Sequence, residues 1–325
     1  MTTHGTFKKS GIPILPHGFR GLWGNAWFAD FDHGSDGNGD TPARSYKYLD
    51  TLLTDKIGRD DVVYIRPRDA DSDGGDPQYY TAYTTANSII AQGKEGITLV
   101  GTHPGSLAAN GKAGHMAHRT YIGGHASAVA STPILQIRAP YATIENLAFR
   151  HTNGSTTITS GGCVKVHGGV GNSYEAFGTT FANCLFRFAE GADDMAGIYN
   201  IDSWYMDVIA CYFYRCECGI AMYGSNSTCR GLNVWDSVFQ GVANERACDI
   251  NIMGSSSTYI NVFDSKFGLD PTDTGPSGAG YYIYISSGTG VNIAGNYFAD
   301  ADAAGDVSIG DAIDGANYDG GGFIA

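Results

Sequence analysis

Asp69, Asp71 and Asp73, with Gly74 behind them, place carboxylates at alternate positions of one short stretch. Hard oxygen ligands so spaced wrap a calcium ion, and the glycine allows the sharp turn. The twelfth position of such a loop is Tyr80, where the complete motif carries a bidentate glutamate. Calcium is therefore the one cofactor the sequence suggests, and it does so through half a motif. Asp36, Asn38 and Asp40 make a second, weaker set. Asp193 and Asp194 are an adjacent carboxylate pair. Glycoside hydrolysis by two carboxyl groups needs them about 5–9.5 Å apart across the sugar, which adjacency does not supply. Cys211, Cys216 and Cys218 sit close together, but a structural zinc site takes two paired arms or a Cys/His set. Buried free thiols acting as small hydrophobes are the expectation. Arg150, Arg187 and Arg215 each follow an apolar block and are expected to form an outward row paired with acids such as Glu145, Glu190 or Glu217. No catalytic set is complete, which leans against an enzyme.

These residues sit in a chain of 325 with 46 glycines, 20 tyrosines and 15 phenylalanines, and only 16% charged residues. That composition suits many short strands and tight turns. Twenty basic residues against 33 acidic ones give a net charge of −13, the wrong sign for a sequence-independent nucleic-acid binder. No apolar run is long enough for a membrane helix, and the first twenty residues contain no secretory h-region. Seven cysteines, an odd number, argue against a disulfide framework. The charge is uneven: residues 1–29 hold Lys8, Lys9 and Arg20 and no acid, whereas residues 267–325 hold eight aspartates and no base.

A repeat organises the middle of the chain. Six short blocks end in Phe149, Phe186, Phe213, Phe239, Phe267 and Phe298, spaced 37, 27, 26, 28 and 31 residues apart. Five residues before each Phe stand Ile144, Phe181, Val208, Val234, Val262 and Ile293; seven before stand Ala142, Thr179, Met206, Leu232, Ile260 and Val291. Two such columns, two residues apart, share one face of a strand. Three before the Phe stand Asn146, Asn183, Ala210, Asp236, Asp264 and Gly295, mostly residues that tolerate a left-handed corner. A further strand precedes each block at a variable distance: Leu135–Ile137, Val164–Val166, Ile198–Ile201, Ile220–Met222, Ile250–Ile252, Ile283–Ile285 and, last, Val307–Ile309. Short strands with in-register apolar columns predict an all-β, parallel β-helix solenoid, with the six phenylalanines as an internal stack.

Upstream, strands are expected at Val62–Ile65, Ile97–Val100 and Tyr121–Gly123. Thr41 as N-cap, Pro42 at the first helical position, and Tyr46, Leu49, Leu53 and Ile57 at helical spacing predict one N-terminal α-helix, placed to cover the solenoid's open edge. The division expected is an arm at 1–29, an opening strand and capping helix at 30–60, the β-helix at 61–310 and a Gly/Asp-rich tail at 311–325. Phe19, Arg20, Trp23, Trp27 and Phe28 make the arm aromatic, suited either to a plug over the first coil or to an anchor that binds a partner.

The run Asp36-Gly37-Asn38-Gly39-Asp40-Thr41-Pro42, the amphipathic helix and Val62–Pro67 resemble the start of single-stranded right-handed parallel β-helix proteins of the pectate-lyase-like superfamily. The resemblance covers roughly residues 30–310 and implies the right hand of the solenoid. The superfamily includes polysaccharide lyases, polygalacturonase-like hydrolases, and tailspikes and surface proteins of bacteriophages. Hydrolases of that kind carry Asn-Thr-Asp, Asp-Asp, Gly-His-Gly and Arg-Ile-Lys in that order. Here His167-Gly168-Gly169 precedes Asp193-Asp194, and the outer two elements are missing. The resemblance with no complete motif implies a structural protein of a bacteriophage virion: a homotrimeric capsid decoration or head-spike protein, assembled in the host cytoplasm against other virion proteins. The alternative is a tailspike-like protein that binds or depolymerises a host surface polysaccharide, with outward Tyr212, Tyr214, Tyr223 and Tyr297 stacking on sugars. Neither reading involves nucleic acid or a membrane.

Overall fold

A computed structural model describes residues 24–32, 37–67, 88–102, 120–123, 133–150, 162–168, 176–187, 196–223, 230–240, 248–253, 257–268, 281–286 and 288–298, and the backbone of short strands at 8–9, 12–13, 80–81, 307–309, 317–319 and 322–324. Each full coil supplies one strand to each of three long sheets. In one coil, Ala196–Ile201 joins the third sheet, Trp204–Ile209 the first and Tyr212–Tyr214 the second. Cys218–Tyr223 then returns to the third sheet beside Ala196–Ile201. The first sheet has nine strands, the second ten and the third eight. Successive coils pair in parallel, so the fold is a parallel β-helix. The tail joins it: Asn317–Asp319 pairs in parallel with Tyr297–Phe298, and Gly322–Ile324 closes the second sheet as an antiparallel strand.

Local chemistry explains the triangular section. The six residues three before each Phe all have positive φ, between 48° and 70°. Asn, Asp and Gly accept this at low cost; Ala210 does not share their advantage. The next residue in each copy turns inward and is buried: Leu147, Cys184, Cys211, Ser237, Ser265 and Asn296. Several of these side chains satisfy the neighbouring coil's corner. The Cys211 N–H donates to Ser237 Oγ and the Ser237 N–H to Ser265 Oγ, each at 3.2 Å, and the Ser265 N–H donates to Asn296 Oδ1 at 2.9 Å. Buried corners would otherwise leave donors unpaired.

The six phenylalanines are buried and stacked coil on coil. Their centroid separations are 5.4, 4.9, 4.6, 4.8 and 5.0 Å, with interplanar angles of 18° or less. Each pair contributes roughly 0.5–1.5 kcal/mol beyond area burial. The columns five and seven before the Phe are buried beside them.

The N-terminal end departs from the sequence expectation. Ala26–Ala29 is the first strand of the first sheet, in register with Val62–Ile65, so Trp27 and Phe28 lie in the solenoid rather than in an arm. Phe28 stacks on Tyr64 at 5.5 Å, and Trp27 Nε1–H donates to Asp61 Oδ2 at 2.7 Å. Phe19, Arg20 and Trp23 lie outside the described residues. The helix is shorter than its spacing predicts. Thr41 is extended and caps nothing, Pro42–Arg44 is a single 3-10 turn, and the α-helix is Leu49–Asp55. Tyr46 explains the break: its N–H donates to the Phe28 carbonyl and its carbonyl accepts from the Asp30 N–H, both at 2.8 Å. Sheet pairing at Tyr46 takes the backbone a longer helix would need. Leu49, Leu52 and Leu53 are buried in the core.

Candidate functional site

Among the described residues, the third sheet brings basic and aromatic side chains together on its outer face. Its strands alternate, with Leu135, Ile137, Val164, Val166, Ile198, Ile220, Met222, Ile250, Ile252, Ile283 and Ile285 all buried in the core. The residues between them face outward in two columns. Registered pairing lines up Gln136, Lys165, Tyr199, Ala221, Asn251 and Tyr284 in the first. The second runs His167, Ile201, Tyr223 and Met253, and extending the register by one residue sets Arg138 opposite His167. Neither column contains a carboxylate, although the chain as a whole is strongly acidic.

Gln136 organises the basic end. Its Oε1 accepts from Arg138 Nη2 at 2.6 Å and lies 3.0 Å from His167 Nε2. Guanidinium only donates, so the Gln136 atom between them is the oxygen, and His167 Nε2 must carry the hydrogen. Burial, then the charges of Lys165 and Arg138, push the His167 pKa down from 6.5 to about 4. The ring is therefore neutral at pH 7, with its lone pair on Nδ1. Burial, then Arg138, also lowers the Lys165 ammonium from its ordinary value. Lys165 Nζ lies 5.7 Å from the centre of the Tyr199 ring. Tyr199 and Tyr223, one coil apart, have centroids 5.3 Å apart. The result is three cationic or basic groups at one end of a half-buried aromatic platform. Such an arrangement pairs with a carboxylate, and an amine with a lowered pKa can take a proton from an adjacent carbon.

The residues singled out in the sequence are distributed elsewhere. Asp69, Asp71 and Asp73 lie outside the described residues, as do Asp193 and Asp194. Among the described residues no group of three His, Cys, Asp or Glu is placed to hold a metal. Asp40 pairs with Arg44 at 2.5 Å. The cysteines are separated by the strand: Cys216 Sγ faces the Phe186 carbonyl at 3.6 Å, whereas Cys218 Sγ lies 4.0 Å from Cys248 Sγ on the next coil. Both are buried free thiols. Arg187 stacks over Tyr214 at 5.4 Å and donates to the Tyr121 hydroxyl at 3.4 Å, and the register pairs it with Tyr214 on the second sheet; Glu190, one of the acids expected beside this row, lies outside the described residues. Arg215 occupies a left-handed corner at φ 52° and leaves that row. Of the four tyrosines expected outside, Tyr212, Tyr214 and Tyr223 are half-buried and Tyr297 is exposed.

The Gln136–Arg138–Lys165–His167 group was missed by attention to acids. The signal was present: aligning the strands Leu135–Ile137, Val164–Val166 and Ile198–Ile201 on their first residues puts Gln136, Lys165 and Tyr199 in one column.

No protein-family model matches the chain, and no curated protein is similar to it in sequence. Solved structures share its fold. A GH136 lacto-N-biosidase from Eubacterium ramulus superposes with a TM-score of 0.53 at 13% identity, over 92% of this chain and 55% of that one. The chain thus spans about half the length of that enzyme. A pectate lyase, Pel9A, superposes with a TM-score of 0.49 at 10% identity, over 89% of this chain and 78% of that one. The fold is a right-handed parallel β-helix.

Proposed function

We propose that this protein engages an acidic polysaccharide across the outer face of its third sheet, and that the chemistry its residues support there is β-elimination. The observation that carries the reading is the cluster of Arg138, Lys165 and His167 on adjacent coils, beside the Tyr199–Tyr223 platform. Arg138 pairs with a uronate carboxylate. Lys165, in its unprotonated form, takes the proton from the carbon that bears the carboxylate. The bond to the leaving glycosidic oxygen then breaks, a carbon–carbon double bond forms in the sugar, and the leaving oxygen is protonated from water. The tyrosine rings hold the flanking sugars by their C–H faces.

This reading develops the polysaccharide alternative. The virion and trimer expectations rest on composition and on the superfamily's general plan, and no observation in the fold adds to them. The test incubates the protein with polygalacturonate, alginate, hyaluronan and chondroitin and follows the ultraviolet absorbance of unsaturated product. The account expects product from at least one of them. Lys165→Met should lose turnover and keep binding. Binding without product from any acidic glycan would remove the elimination step; neither binding nor product would remove the whole reading.

A further inference from the structure

A second regularity runs along the edge between the third and first sheets. The residues eight before each Phe are Tyr141, Gly178, Tyr205, Gly231, Tyr259 and Gly290, a strict alternation. All six have positive φ: 60°, 67°, 57°, 71°, 59° and 67°. This is a second left-handed corner. Glycine takes it without cost, but a bulky side chain there is a backbone outlier costing roughly 1–2 kcal/mol. The chain carries that cost three times, where Gly or Asn would avoid it.

Packing shows how the alternation works. A Cβ at Gly178 would lie 2.8 Å from Tyr141 Cδ1, and one at Gly231 would lie 2.5 Å from Tyr205 Cδ1. Each tyrosine ring thus lies against the bare glycine of the next coil. Yet the rings stay open to solvent, at 43%, 55% and 63% exposure for Tyr141, Tyr205 and Tyr259. Covering glycine does not require three strained, exposed phenols in one row. Strained residues that persist in this way cluster where a ligand is handled.

The spacing identifies the ligand. Coils stack about 4.8 Å apart, so rings on alternate coils recur about every 9.6 Å. A pyranose in an extended chain is about as long as one coil step, so a disaccharide spans about two. Each ring, together with the glycine that it covers, thus spans the two coils that one disaccharide would pass. The neighbouring column adds a charge: Arg230 lies over Trp204 at 5.2 Å, and Trp204 directly precedes Tyr205. We infer that Tyr141, Tyr205 and Tyr259 form a ledge that binds an extended acidic polysaccharide with a disaccharide repeat, running parallel to the solenoid axis. The inference rests on the polysaccharide reading above and specifies its ligand. In the coil from 196 to 215 only Asp202 and Ser203 separate the third-sheet strand from Trp204, so the two surfaces adjoin around one corner.

The test is calorimetric titration with hyaluronan and chondroitin oligosaccharides of four, six and eight sugars. Tyr141 and Tyr259 are four coils, about 19 Å, apart, so a hexasaccharide reaches all three rings and a tetrasaccharide reaches two. Affinity for at least one series should rise on the order of fivefold from tetramer to hexamer and then level off. Tyr259→Asn should abolish that step. The triple variant Tyr141→Asn/Tyr205→Asn/Tyr259→Asn suits the left-handed corner, and its fold is checked by circular dichroism. It should lose most of the affinity. A folded triple variant that binds as well as wild type, while Arg138→Ala/Lys165→Ala binds poorly, would overturn the ledge alone. Wild-type protein that binds neither series would overturn the disaccharide-repeat ligand. The polysaccharide reading fails as well only if polygalacturonate and alginate are not bound either.

Discussion

Ala210 is the one alanine among the six left-handed corners, at φ 51°, and replacing it should stabilise the protein. An alanine there costs about 1–2 kcal/mol relative to a residue at ease in that region. Ala210→Gly removes the strain but gives the unfolded chain more freedom, worth about 0.5–1 kcal/mol, so its net gain is about 0.5–1 kcal/mol. Ala210→Asn avoids most of that loss and adds an amide to a ladder already begun, where Asn183 Nδ2 donates to Asn146 Oδ1 at 2.7 Å. A partly exposed hydrogen bond adds about 0.5 kcal/mol, so the expected total is about 1–2 kcal/mol. The assay is guanidinium unfolding followed by circular dichroism. The midpoint should rise in the order Ala210, Gly, Asn with an unchanged denaturant slope. Ala182→Asn, on an ordinary strand position that faces outward, is the control and should give no gain. If neither substitution at 210 raises the midpoint, corner strain does not govern this column.

Three further outcomes follow from the same geometry. Phe239→Ala removes a ring stacked on both sides, at 4.6 and 4.8 Å, and should cost about 3–5 kcal/mol; Phe298→Ala, stacked on Phe267 alone within the column, should cost less in the same unfolding assay. His167 is harder to protonate folded, at about 4, than unfolded, near 6.5. The unfolded chain binds the extra proton between those values, so stability should fall as pH drops through that window, and His167→Gln should flatten the slope of melting temperature against pH there. Burial raises the Cys218 thiol well above its ordinary pKa, so Cys218 should resist iodoacetamide at neutral pH until the protein unfolds, as read by peptide mass spectrometry; rapid native labelling would contradict its burial.

Much of the solenoid was legible because its inner columns recur relative to one Phe. The corner at Asn146, Asn183, Asp236, Asp264 and Gly295 could be read from residue type alone, and Ala210 followed from alignment. The short helix was not legible, since Tyr46 fits a helical face and a sheet edge equally well, and only its pairing with Phe28 and Asp30 decides between them. Trp27 and Phe28 looked like an arm because one four-residue strand has no visible period until Val62–Ile65 lies beside it. The Arg138–Lys165–His167 cluster was hidden for a different reason. Loops of variable length separate the third-sheet strands from the Phe blocks, so alignment on Phe scatters those residues. The tyrosine–glycine edge stood one position beyond the columns that were aligned, and tyrosine at a left-handed corner is not a choice that turn chemistry predicts.

The most direct test of the account is affinity electrophoresis of the wild-type protein and of Arg138→Ala/Lys165→Ala in gels containing polygalacturonate, alginate, hyaluronan or neutral dextran. The account predicts that at least one acidic gel retards the wild type, that salt weakens the retardation, that dextran does not retard it, and that the double variant is retarded less than the wild type in that gel. Equal retardation of wild type and double variant, or none in any acidic gel, would contradict it.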